Sequence, residues 1–297
     1  MDDWFTPLPR FAHYALLLGL FGITAFRLIG LRRFNDLPDL RRPLLIGALA
    51  APVATVGLML ASIAAMMGQP ILSLEWATID AMLFATDMGW AFLARLALLV
   101  AALAAVLSSR PATSIVALCY ALALATLPWG GHAAATEGGI GLVHRLNDAL
   151  HLLAAGLWIG AIGSFLYLAV RAHRVPQGVN PASLIDAMHR FAPYGLFLVG
   201  TVAVTGAINA ELIFGLRSTI RVAQDGYGQM LLLKIALVGL MLGCAAFNAQ
   251  RARRWARSTV GETDLLKAIR ISLAAELVLA ALVIASVAIL GMLMPVE

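Results

Sequence analysis

The stretch VHRLNDALHLLAAGLWIGAIGSFLYLAV, residues 143–170, decides the fold. At about 1.5 Å rise per residue it is long enough to cross the roughly 30 Å hydrocarbon core of a bilayer. Its formal charges, Arg145 and Asp148, both lie near one end. Working outward, seven further apolar stretches obey the same length rule, near 11–30, 43–67, 89–107, 112–129, 190–214, 229–250 and 266–293. Of 297 residues, 61% are hydrophobic and 12% are charged, where an ordinary soluble domain carries about 25% charged residues. The expected fold class is all-α, a polytopic membrane helix bundle formed as a single transmembrane domain over 1–297, with nothing left for a separate soluble domain. The segment 68–88, with Glu75, Asp80 and Asp87 between apolar residues, reads as a surface helix or a re-entrant loop.

The opening MDDWFTPLPR has two acids where a cleavable signal carries basic residues, so the first span is expected to stay in the membrane. Cys119 and Cys244 fall in different spans and read as small packing residues, with no framework of extracellular disulfides. Cations are distributed unevenly between the two sets of loops. One set, with its flanking helix ends, holds Arg32, Arg33, Arg41, Arg42, Arg110, Arg171, Arg174, Arg190, Arg251, Arg253, Arg254, Arg257, Lys267 and Arg270. The other holds Arg10, Arg145, Arg217 and Arg221. Fourteen against four predicts, by the positive-inside rule, that both termini face away from the cytoplasm. The net charge of +5 then reflects topology and contact with anionic membrane lipid, and gives no reason to expect nucleic acid.

This topology puts four of the six histidines, His13, His132, His144 and His151, toward the outer side, and leaves His173 and His189 as solvated residues at the cytoplasmic face. His144 and His151 are seven residues apart on nearly one helix face, with Asp148 between them. They are separated by about 10 Å along the axis, too far to share one ion from a straight helix. The first metal site is therefore expected to use either His144 with His132, or His151 with a ligand from another helix. Asp148 can orient an imidazole or pair with a cation, and Arg95 lies at similar depth. A buried network that only fixes helix packing is the plainer alternative. Intramembrane ionisable groups are costly, which favours function.

The remaining polar groups within spans are Asn209, Glu211 and Lys234 toward the outer side and Asn248 and Glu276 toward the inner side. They suit either a partial pathway or a set of helix locks. Met66, Met67, Met82, Met88, Met230, Met292 and Met294 fall at the outer face as possible soft ligands. Imidazole with thioether favours copper, Cu(I) or Cu(II), over magnesium or calcium; zinc is compatible with the same ligand types.

In order along the chain stand GGHAAA at 130–135, His144, HLLAAGLWIGAI at 151–162, RFAPYG at 190–195, TGAINA at 205–210, YGQMLLLKIAL at 227–237, FNAQR at 247–251 and an acidic final span around Glu276. This series resembles the copper resistance protein D (CopD) family of bacterial inner-membrane proteins, although RFA stands where the family often has RFS. The resemblance implies about eight spans in the inner membrane, a role in copper uptake or tolerance, and a separate periplasmic copper-binding partner of the CopC type. The expected function is to take copper from the periplasmic side at His132, His144 and His151, with His13 or methionines assisting, and to import it. With no P-loop in the sequence, a gradient, the membrane potential or a downstream sink would drive such movement. No nucleophile elbow, HExxH motif or catalytic carboxylate pair suggests an enzyme. The alternative reading is a membrane redox protein with a b-type haem held between histidines such as His13 and His151.

Overall fold

The computed structural model describes residues 7–31, 40–108, 112–174, 179–215, 217, 219–255 and 262–293. Arg32, Arg33, Arg110, Arg257 and Met294, named above, lie outside the described residues. The long helices are α1 (Pro7–Ile29), α2 (Arg41–Met67), α4 (Asp87–Leu107), α5 (Thr113–Ala125), α6 (Gly138–Arg174), α7 (Pro181–Phe214), α9 (Gly226–Trp255) and α10 (Glu262–Leu290), with short helices α3 (Trp76–Phe84) and α8 (Thr219–Val222) between them. Among the described residues, eight helices are long and apolar enough to cross a membrane, α5 reaching that length through a 3-10 turn to Gly130. The chain is a multi-pass membrane protein, as its hydropathy predicts. Apolar side chains such as Leu196 and Phe197 stand exposed on the helix flanks, where lipid, not water, is the solvent.

The helix ends follow local chemistry. Pro181 opens α7 from an Asn180 cap, whose side chain accepts from Ala182 N at 2.9 Å, so α7 begins nine residues before the expected 190. The polar first turns of α7 hid this start from a hydropathy reading. Gly68 closes α2 with φ 63°, a left-handed conformation that glycine adopts without penalty. The segment 68–88 contains α3, which has no buried residue and packs against α4 as a surface helix.

α6 is the axis of the molecule, packing most extensively on α1 and α7 and also on α10 and α5. The α1 contact is backbone on backbone: a Cβ on Gly22 would lie 2.8 Å from Gly160 Cα, and one on Gly160 would strike the Gly22 backbone. Below this crossing, Phe26 of α1 meets Phe165 of α6 and Phe191 of α7 edge to face, with centroids 5.1 and 5.0 Å away. A second core joins α1 to α2, α4 and α5 around Leu17, Tyr120 and Leu124. Cys119 is buried, Cys244 is half-buried, and both are free. The packing leaves α1, α6 and α9 starting, and α7 and α10 finishing, at one end of the bundle, the histidine end. Arg41 and Arg42 at the start of α2, Arg171 and Arg174 at the end of α6 and Arg251 near the end of α9 lie at the opposite end, the arginine-rich end.

Candidate metal-binding cavity

At the histidine end, α1, α6, α7, α9 and α10 surround a cavity of about 150 Å³. His132, His144 and His151 all line it, together with Asp148, Asn209 and Lys234. The two arrangements left open by spacing are thus combined around one space. His132 gets there because the chain after α5 turns back through two 3-10 turns, and Thr136, just beyond, places its Oγ1 2.9 Å from His144 Nδ1.

The hydrogen bonds fix which ring nitrogens carry the lone pairs. His151 Nδ1 is 3.0 Å from Thr205 Oγ1, and that hydroxyl donates to Thr201 O at 2.6 Å. With its hydrogen committed there, the hydroxyl accepts from His151 Nδ1, and Nε2 carries the lone pair. His132 Nε2 lies 3.1 Å from Leu290 O, which can only accept, so Nδ1 carries the lone pair in His132. A metal-binding imidazole characteristically donates its other N–H to a protein acceptor in this way.

Asp148 is held by amides. Its Oδ1 accepts from Asn209 Nδ2 at 2.8 Å, Asn209 Oδ1 accepts from Asn147 Nδ2 at 2.7 Å, and Asn147 Nδ2 also reaches Thr205 O at 2.8 Å. This chain ties α6 to α7 and links Asp148 to the helix turn that orients His151. Lys234 of α9 lines the same cavity as Asp148. Arg95 is not its partner: the guanidinium donates to Thr126, Nε to Oγ1 at 2.8 Å and Nη2 to O at 3.0 Å, and covers the Phe92 ring. Arg95 has the right depth but belongs to α4, which packs on α2 and α5.

His13 also departs from expectation. It faces α2, with Nε2 3.0 Å from Thr55 Oγ1, and Arg95 is its charged neighbour. The next residue, Tyr14, lines the cavity instead, one helix position and about 100° around the axis. His13 and His151 therefore do not face each other across a shared space. The cavity is also smaller than the roughly 300–1,000 Å³ of organic-ligand pockets, so the haem reading finds no support here. Among the described residues, no methionine lines the cavity. Met66 and Met67 are exposed, Met82 and Met88 are half-buried, Met230 packs on Val222 and Tyr227, and Met292 is exposed. Glu211 is exposed on α7 outside the cavity, and His173 and His189 are exposed at the other end.

Among the described residues, no three His, Cys, Asp or Glu side chains already converge as an ion would need. The cavity collects the imidazoles without closing them on one point. Ordinary sequence signals missed Thr136, Thr205, Asn147, Tyr14 and Arg10; only TGAINA and RLND, polar residues inside apolar spans, hinted at two of them.

Asn248 and Glu276 form a separate buried pair between α9 and α10, Asn248 Nδ2 donating to Glu276 Oε1 at 2.7 Å. Neither lines the histidine cavity. Glu276→Ala leaves the buried amide without its acceptor and is expected to cost about 1–3 kcal/mol of stability, whereas Glu276→Gln keeps a carbonyl acceptor and most of that stability. Thermal melting in detergent checks this; an alanine variant that melts with wild type would remove the pair from the stability of the fold.

Comparison with known proteins follows the whole length of the chain. Residues 1–142 match the family described as Copper resistance protein D-like, N-terminal domain, and residues 185–290 match the family described as Copper resistance protein D. Copper resistance protein D of Pseudomonas syringae pv. tomato is 33% identical over 311 aligned residues, covering 99% of this chain and 98% of that protein. Copper transport protein CutJ of Bacillus subtilis (strain 168) is 32% identical over 133 residues, 45% of this chain and 23% of that protein. The inner membrane protein YebZ of Escherichia coli (strain K12) is 35% identical over 118 residues, 40% of this chain and 38% of that protein. No solved structure matches.

Proposed function

The chain belongs to the copper resistance protein D family, and from that premise we propose that it receives copper as cargo in the histidine cavity and passes it inward across the bacterial inner membrane. The carrying observation is the meeting of His132, His144 and His151 around one space, with a lone pair left available on His132 Nδ1 and His151 Nε2. Imidazole nitrogen suits copper, and a site that gathers ligands without closing on the ion suits passage, because a carrier must release what it takes. Asp148, held by Asn209, brings a carboxyl group to the same space as the imidazoles.

The excess of arginine at the other end supports, by the positive-inside rule, a periplasmic position for the cavity and for both termini. A periplasmic copper-binding protein of the CopC type is the fitting donor. The inner-membrane placement accords with the name of the Escherichia coli relative, and copper movement with that of the Bacillus subtilis one. The protein acts as a carrier and not as an enzyme, with transport drawing on an ion gradient, the membrane potential or a sink for copper beyond the membrane.

Metal content and visible absorption of the detergent-purified, copper-loaded protein test the reading. Copper stoichiometric with the chain and no Soret band are expected. A Soret band, or failure to retain copper after desalting, would overturn it.

A further inference from the structure

A second cavity, about 390 Å³, opens between α1 and α6 at the arginine-rich end, with α2 and α10 at its edges. On α1 it follows Gly19, Ile23 and Arg27, residues four apart on one helix face, and Leu31 lines it just past the helix end. From Gly19 to the end of α1 at Ile29 this groove runs about 15 Å along the helix, close to half of the roughly 30 Å hydrocarbon core. It therefore reaches from the membrane surface to about the bilayer middle, the depth of one leaflet.

Its glycines differ from those of the helix crossing. Gly22 and Gly160 bring backbones together, but a Cβ on Gly19 or Gly163 would meet no atom within 4 Å. At these two positions the missing side chains leave volume that no helix fills. The walls are otherwise apolar, with Leu20, Leu44 and Ile159 among them. Polarity gathers at the surface end, where Arg27 in the last turn of α1 and Tyr167 of α6 line the cavity.

We propose that this groove is a binding site for one anionic phospholipid, with an acyl chain along Gly19, Ile23 and Gly163 and the phosphate against Arg27. Length selects a single leaflet chain, and the Arg27 guanidinium, in a lining with no other charged residue among those described, selects a negatively charged headgroup over a zwitterionic one. Basic recesses between membrane helices on the arginine-rich side have this chemistry in common. The site lies at the opposite end from the histidine cavity and does not depend on the copper reading.

Native mass spectrometry of the intact, delipidated protein titrated with phosphatidylglycerol or phosphatidylcholine of identical chains tests it. Wild type is expected to retain phosphatidylglycerol preferentially. Arg27→Gln should weaken that lipid about fivefold, the effect of one surface cation, and leave phosphatidylcholine unchanged. Gly163→Leu fills the groove and should abolish retention of both. Gly19→Leu provides the same block should the first variant fold poorly, and Gly57→Leu, at another position with open space but outside the groove, should behave as wild type. Equal retention of the two lipids by wild type, or undiminished retention by the folded Gly19→Leu protein, would overturn the proposal.

Discussion

His151→Ala is expected to strip copper from the purified protein, with a loss of affinity well beyond the ~10–100-fold that a supporting residue is worth. The ring is buried and tied through Nδ1 to Thr205, so its Nε2 is presented in one orientation and with no hydrogen to displace. Alanine removes the donor and leaves Thr205 Oγ1 without that partner. His144→Ala should act in the same direction, because His144 lies on the same helix face and is just 1% exposed. Thr205→Val, which keeps the shape but not the hydroxyl, should cost about 10–100-fold in affinity, and Thr205→Ser should restore most of it. Copper titration against a competing chelator, with circular dichroism as the check on folding, reads all four variants. Unchanged affinity in folded His151→Ala would take His151 out of the site.

Gly160→Leu is expected to be the most disruptive single change in the helix core. Added methylenes in a packed interior ordinarily cost about 1–3 kcal/mol, because neighbouring side chains shift rotamers. Here the atoms in the way are the Gly22 backbone, which has no rotamer to change. α1 must therefore separate from α6 along its most extensive contact, opening both cores and the wall between them. The expected result is loss of monodisperse protein in detergent, where Gly57→Leu, with open space around it, remains folded. A Gly160→Leu protein that elutes and melts like wild type would show that the crossing can relax.

The spans were legible because a bilayer imposes one length on every helix, and apolar runs of that length have few other uses in a chain this greasy. The His144, Asp148 and His151 stripe was legible because helical periodicity alone puts those residues on a common face. Depth, in contrast, gives no angle around the axis. His13 and Arg95 had the right height and face α2 and Thr126, while Lys234, read as part of a partial pathway or as a helix lock, lines the same cavity as Asp148. The described methionines stand at the expected end of the bundle but on its outside, half-buried or in apolar packing, away from the cavity. His132 joined the cavity through a fold-back of 3-10 turns whose geometry no periodicity describes. Thr136 and Thr205 are neutral residues of modest size, and nothing in their spacing marks them as the groups that hold the imidazoles.

The last carbonyls of a helix have no partner within it. In α10, Leu290 O is met by His132, and the next carbonyl, Gly291 O, receives Arg10 Nη1 of α1 at 2.5 Å. The His132 ring that lines the cavity is therefore also a fastener for the final turn of the last helix, beside an arginine from the first turn of the first. Any displacement of that ring takes a donor away from the end of α10, so one side chain ties the shape of the cavity to the junction of the first and last helices.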